Sequence, residues 1–134
     1  MPFASLPPFL AEALAARGYS APTPVQAAVL EPGAAGRDLI VSAQTGSGKT
    51  VAFGLAMADN LLGEAGTLEP AEAPLALVIA PTRELAMQVG RELDWLYGKA
   101  GARIAACVGG MDPSKERRNL ARVAQNRMAV SASW

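Results

Sequence analysis

The stretch that decides the fold is Ala43-Gln44-Thr45-Gly46-Ser47-Gly48-Lys49-Thr50. It follows a short apolar run, Leu39-Ile40-Val41, and precedes a segment, Val51 to Leu62, whose Ala, Phe, Leu and Met residues suit an inward helical face. A strand, a glycine-rich turn and a helix in that order make an anion-binding device. Gly46 and Gly48 let the backbone curl and turn its N–H groups inward. The following helix aims the positive end of its dipole at the same point. Lys49 adds a mobile point charge, and Thr50 a hydroxyl able to meet Mg²⁺. The stretch therefore reads as a P-loop for a nucleoside triphosphate, with Ala43 where the general pattern has Gly. The plain alternative is a Gly-rich turn with a solvated Lys49, but glycines, Lys and Thr all fall in register.

Outward from the loop, the pattern alternates. Leu6, Leu10, Ala13 and Leu14 lie on one helical face, with Pro7-Pro8 at the start and Gly18 as a left-handed stop. Val25 to Leu30 reads as a short second helix, and Gly33 to Gly36 as a loop. Residues 63–74 mix Gly, Glu, Ala and Pro and read as an exposed loop. Leu75 to Ala80 (LALVIA) is a continuous apolar run, as expected of a strand covered on both faces. Pro81 stops it, Thr82 caps the next helix, and Leu85, Val89, Leu93 and Leu96 line one face of that helix. Arg103 to Val108 reads as a third strand, Gly109-Gly110 breaks it, and Pro113 to Val123 reads as a basic helix. Such alternation predicts an α/β fold, a parallel sheet with helices on both faces.

Totals bound the rest. The 134 residues fit one domain, and half are apolar, with only 2 Trp, 2 Tyr and 3 Phe, so the core is aliphatic. Formal charge is zero, but unevenly spread: residues 1–98 hold five Lys/Arg against ten Asp/Glu, and 99–134 hold seven against two. A basic C-terminal stretch can bind anions, although a solvated helix face is the blander reading. Cys107 stands alone, which excludes an intrachain disulfide and suits a reducing compartment. No apolar run approaches the roughly 20 residues of a membrane helix. No secretion signal is visible at the N-terminus. A cytoplasmic chain without a membrane partner is the expectation.

Four motifs in order carry a family resemblance. Gly18-Tyr19-Ser20-Ala21-Pro22-Thr23-Pro24-Val25-Gln26 resembles the Q motif of DEAD-box RNA helicases. AQTGSGKT resembles that family's motif I, Pro81-Thr82-Arg83-Glu84-Leu85-Ala86 its motif Ia, and Gly109-Gly110 its GG motif. The resemblance implies a partial RecA-like P-loop lobe, with a Q-motif region over 1–36, a P-loop and motif Ia core over 37–120, and an atypical tail over 121–134. It implies ATP and Mg²⁺ as ligands. ATP would be held by Gln44, Thr45, Gly46, Ser47, Gly48, Lys49 and Thr50, and the metal by Thr50. Gln26 would pair its amide with adenine, Phe3 would stack on the base, and Tyr19 would cover it from the side. Phe3 lies two positions closer to Gly18 than the family's spacing, and without the family Gln26 would read as a surface amide. Pro81, Thr82, Arg83, Gly109 and Gly110 would touch the RNA sugar–phosphate backbone, weakly and without reading sequence. Lys115, Arg117, Arg118 and Arg122 would extend that surface.

No two acidic residues are adjacent anywhere in the chain, so the Asp-Glu pair with which the family activates water has no counterpart, and no catalytic residue is identified. The resemblance fades near Leu120. A truncated product, a change of reading frame, or a free-standing relic would each explain that. The expectation is an ATP-binding fragment of a DEAD-box RNA helicase, ATP-dependent in RNA unwinding as a whole protein but without turnover in this chain alone. The alternatives are a nucleotide-binding module without catalysis and a non-functional structural fragment. Unpaired sheet edges would bring marginal stability, self-association or a rearranged sheet.

Overall fold

The computed structural model describes Phe3, residues 5–62, Leu68, residues 74–107, Ser114 and the backbone of 127–132. Among the described residues, five α-helices and three strands follow one another as α1 (Pro8–Ala16), α2 (Pro24–Val29), α3 (Lys49–Ala56), α4 (Ala58–Leu62), β1 (Ala76–Ala80), α5 (Arg83–Tyr97), β2 (Arg103–Cys107) and β3 (Arg127–Ala132). The basic helix expected over Pro113 to Val123 lies outside the described residues except for Ser114.

Helices α1 and α5 begin where their sequence says they should. Pro8 occupies the first turn of α1, where a missing N–H costs nothing. Gly18, at φ +80°, turns the chain out of that helix, and Tyr19 N donates back to Leu14 O at 3.0 Å. Thr82 caps α5, its Oγ1 accepting from Leu85 N at 3.1 Å, and Glu84 in the first turn complements the helix dipole. Ala86, Val89, Gly90, Leu93, Leu96 and Tyr97 then form the buried stripe of α5. The single helix expected over Val51 to Leu62 is two, broken at Met57, whose carbonyl accepts from Asn60 N and Leu61 N.

The sheet is parallel throughout, in the order β1-β3-β2. Its central strand is β3, with Val130 opposite Val78 of β1 and Ala106 of β2. That strand falls in the tail from which no element is expected on sequence alone. Helix α5 lies against the sheet, and α1 and α3 pack on α5. Along β1, Ala76, Val78 and Ala80 join the core beneath α5, with Leu10, Leu14, Val51, Leu55, Leu93 and Leu96 among its buried members. Alternation sends Leu77 and Ile79 to the other face, where they are 64% and 67% exposed.

One expected strand is not formed. Leu39-Ile40-Val41 has no strand geometry, Ile40 is fully exposed, and β1 pairs with β3 instead. A strand exists only through the ladder beside it. Among the described residues nothing supplies that ladder to 39–41, so apolar character alone leaves the segment extended and unpaired.

Candidate functional site

The P-loop closes on itself. Gly46 and Gly48 both take left-handed φ values, +81° and +82°, which only glycine adopts without strain. Ser47 N donates to Gln44 O at 3.2 Å, making the turn between them. Gly48 is the residue before α3, and its carbonyl accepts the first helical bond, from Ala52 N at 3.0 Å. Lys49 Nζ reaches back over the loop and donates to Ala43 O at 2.8 Å. Lys49 and Thr50, half-buried, thus stand at the N-terminal end of α3 where its free N–H groups converge. Gln44, Thr45 and Gly46 are exposed at the rim.

One feature of the loop fits an anion. Ser47 Oγ is buried with no hydrogen-bond partner among the described residues, a donor without an acceptor. A Cβ at Gly48 would run into the Gln26 side chain and come within 3.3 Å of Thr23 Oγ1, so only glycine leaves room there for the Gln26 amide. Largely apolar space borders the loop. One cavity of about 510 Å³ is lined by Val25, Val29, Leu39, Val41, Ala43 and Ser47. Another of about 510 Å³ lies between Lys49, Thr50 and Phe53 of α3 and Leu77 and Ile79 of β1. Among the described residues no group of three His, Cys, Asp or Glu side chains is placed to hold a metal, and Thr50 stands in the first turn of α3.

Gln26 has a different environment from the one its sequence suggests. It is fully buried, and both ends of its amide are engaged within the chain. Its Oε1 accepts from Thr23 N at 3.0 Å, which caps α2 from inside, and its Nε2 donates to Gly48 O at 3.3 Å. Gln26 therefore ties the Q-motif helix to the P-loop. Each end of the amide keeps one further site, a second N–H on Nε2 and a second lone pair on Oε1. Replacing it with Ala leaves Thr23 N unsatisfied and opens a cavity, and is expected to cost roughly 1–3 kcal/mol, read as a fall in the urea midpoint.

The other base-binding candidates are engaged in packing. Phe3 is half-buried against the core, and its carbonyl accepts from Leu6 N at 3.1 Å. Tyr19 stacks on Trp95 of α5, ring centroids 5.9 Å apart, while the Arg17 guanidinium lies 5.1 Å from the centre of the same indole. Pro81, Thr82 and Arg83 are exposed together at the N-terminus of α5, and Arg83 already holds an interaction within the chain. Gly109 and Gly110 lie outside the described residues. The structure thus gathers Thr23, Gln26, Ala43, Gly48 and Lys49 into one hydrogen-bonded unit and sets the motif Ia residues on a separate helix end. The roles of Thr23 and Ala43 were not evident from sequence. The Thr23-x-x-Gln26 spacing of a capping box is the signal that points to the first.

Known proteins resemble this chain in both sequence and fold. The family model for DEAD/DEAH box helicases matches residues 23–132, a span that runs through the tail to the end of β3. The resemblance therefore does not fade near Leu120. The chain is 46% identical over 103 residues to the ATP-dependent rRNA helicase rrp3 of Emericella nidulans, covering 77% of this chain and 21% of that protein. It is 41% identical over 114 residues to DEAD-box ATP-dependent RNA helicase 53 of Oryza sativa subsp. japonica, covering 84% of this chain and 18% of that one. The structure superimposes on the crystal structure of the RNA helicase Prp28 from Chaetomium thermophilum bound to ADP with a TM-score of 0.78 and 33% identity, over 95% of this chain and 30% of Prp28. The chain thus spans about a fifth of these curated relatives and carries a partial RecA-like α/β lobe. On its motifs, its sequence relatives and its fold together, it belongs to the DEAD/DEAH box helicase family.

Proposed function

We propose that this chain is the P-loop portion of an ATP-dependent RNA helicase, that it binds ATP and ADP with Mg²⁺, and that it does not turn ATP over alone. The observation that carries the reading is the closed loop at the start of α3, with Gly46 and Gly48 left-handed and Lys49 held across it at Ala43. Backbone N–H groups, the Lys49 ammonium and the unpartnered Ser47 hydroxyl offer donors to phosphate oxygens. Thr50 would meet Mg²⁺, which neutralises charge between phosphates. Absence of any adjacent acidic pair from the sequence supports binding without hydrolysis. RNA would lie weakly on Pro81, Thr82 and Arg83, through phosphates and a helix N-terminus, without sequence preference. A lone cysteine supports a reducing, cytoplasmic setting. Among the described residues no helix is long and apolar enough to cross a membrane.

A second reading keeps the P-loop sequence without nucleotide binding. It draws on Leu39-Ile40-Val41, which leads into the loop outside any sheet. Thermal unfolding titrated with Mg-ADP and Mg-ATP separates the two. A ligand that binds only the folded chain adds about 2.7 kcal/mol at a hundred times its dissociation constant. No rise with either nucleotide sinks the first reading and leaves the second. Exposed Leu77 and Ile79 on the edge strand β1 also favour self-association. Sedimentation velocity across a hundredfold range of protein concentration is expected to show a rising mean mass. A constant monomer mass would refute it.

A further inference from the structure

Helices α3 and α5 meet most closely at the end of α3 away from the P-loop. A Cβ at Gly54 would stand 2.5 Å from Leu96 Cδ2 and 3.2 Å from Leu93 Cδ2, so the bare backbone of α3 lies directly against the α5 leucines there. At that contact Tyr97, fully buried, donates its hydroxyl to Gly54 O. Gly54 is among the last four residues of α3, whose carbonyls have no acceptor role inside the helix. The phenol supplies the missing donor. Burial pushes the Tyr97 hydroxyl well above its ordinary range, and the Asp59 charge pushes it the same way, so it stays protonated and able to donate.

This bond ties together two helices whose opposite ends carry the candidate sites. Lys49 and Thr50 open α3, about 7.5 Å along the axis from Gly54. Thr82 and Arg83 open α5. Leu93 and Leu96 of α5 seat against the notch that Gly54 leaves, and the directional hydrogen bond from Tyr97 adds a fixed axial anchor to that contact. Lys49 must stay in register with Ala43, and Gly48 with Gln26, for the loop to keep its shape. We infer that Tyr97 is a positioning residue for nucleotide binding: its hydroxyl, held on Gly54 O, sets where α3 presents Lys49 and Thr50, and makes α5 the ruler against which the P-loop is placed. The inference rests on the nucleotide-binding reading above.

Tyr97→Phe removes the hydroxyl and keeps the ring, so the core stays filled. Leu14→Val in α1 is the control, a loss of one methylene elsewhere in the same core. Calorimetric titration with Mg-ADP is expected to show about tenfold weaker binding by Tyr97→Phe, since small misplacements of a positioning element carry large effects. Leu14→Val is expected to bind within twofold of wild type. Amide hydrogen exchange without nucleotide is expected to quicken over residues 46–52 in Tyr97→Phe and not in Leu14→Val. Equal affinity of Tyr97→Phe and wild type, equal weakening in both variants, or unchanged exchange over 46–52 would overturn the positioning role while leaving nucleotide binding in place. A wild-type chain that takes up no Mg-ADP would overturn the functional reading itself, and this role with it.

Discussion

Lys49→Ala is expected to remove nearly all of the stabilisation that Mg-ADP gives the wild-type chain. The Lys49 ammonium lies over the P-loop on Ala43 O at 2.8 Å, within the turn that Gly46 and Gly48 create. Exchanging a neutral carbonyl for anionic phosphate oxygens puts charge on both sides of its bonds, each contributing about 1.5–3 kcal/mol. A loss of about 3 kcal/mol weakens binding roughly a hundredfold. Nucleotide at a hundred times the wild-type dissociation constant then stands near the constant of the variant, and its stabilisation falls from about 2.7 to about 0.4 kcal/mol. Removing Lys49 also deletes its bond to Ala43 O, at a cost of about 1 kcal/mol to the ligand-free chain. The quantity to compare is therefore the nucleotide-induced shift in melting temperature, measured from each protein's own baseline. A shift that survives in Lys49→Ala would place the ligand somewhere other than this loop.

How much of this was legible in the sequence depends on whether the information is local. Gly46, Gly48 and Lys49 act within a few residues of one another, and their spacing alone fixes what they do. Helix ends were legible for the same reason: Gly18 and Thr82 act on their own turn. Leu39-Ile40-Val41 has the composition of a strand, but pairing is decided by a partner elsewhere in the chain, and β1 takes β3. Arg127–Ala132 has the reverse history. Its composition gives little strand signal, with Ser131 and two alanines, and it becomes the central strand because β1 and β2 offer ladders on both sides. Gln26 shows a subtler limit. The motif marks the residue as important, and the amide's donor and acceptor suggest adenine, while in the fold each of the two groups also bonds within the chain, to Thr23 N and Gly48 O. Residue chemistry says what a group can bond, and only packing says which partner it meets. Tyr97 lies four residues beyond Leu93 on the buried face of α5, so its burial was readable, but not the α3 carbonyl beneath it.

Gly54→Val is expected to destabilise the chain by about 3 kcal/mol. By intrinsic preference the change should help, because Gly in a helix interior is roughly 0.5–1 kcal/mol worse than Ala, and Val loses only part of that gain. Packing opposes it. The new Cβ would sit 2.5 Å from Leu96 Cδ2 and 3.2 Å from Leu93 Cδ2, and two methyl groups would follow behind it. Leu93 and Leu96 are each 1% exposed, so neither can swing into solvent to make room. Either α3 moves away from α5 or both leucines leave their rotamers, and the first movement also lengthens the Tyr97 bond to Gly54 O. Steric overlap outweighs the gain in helix preference, so the variant should lose about 10 °C in melting temperature, with a matching fall in urea midpoint at unchanged slope. Gly54→Ala, carrying the Cβ without the methyls, should fall between the two. Equal stability of Gly54→Val and wild type would mean that α3 and α5 do not approach through this glycine, and that the P-loop helix is placed by some other contact.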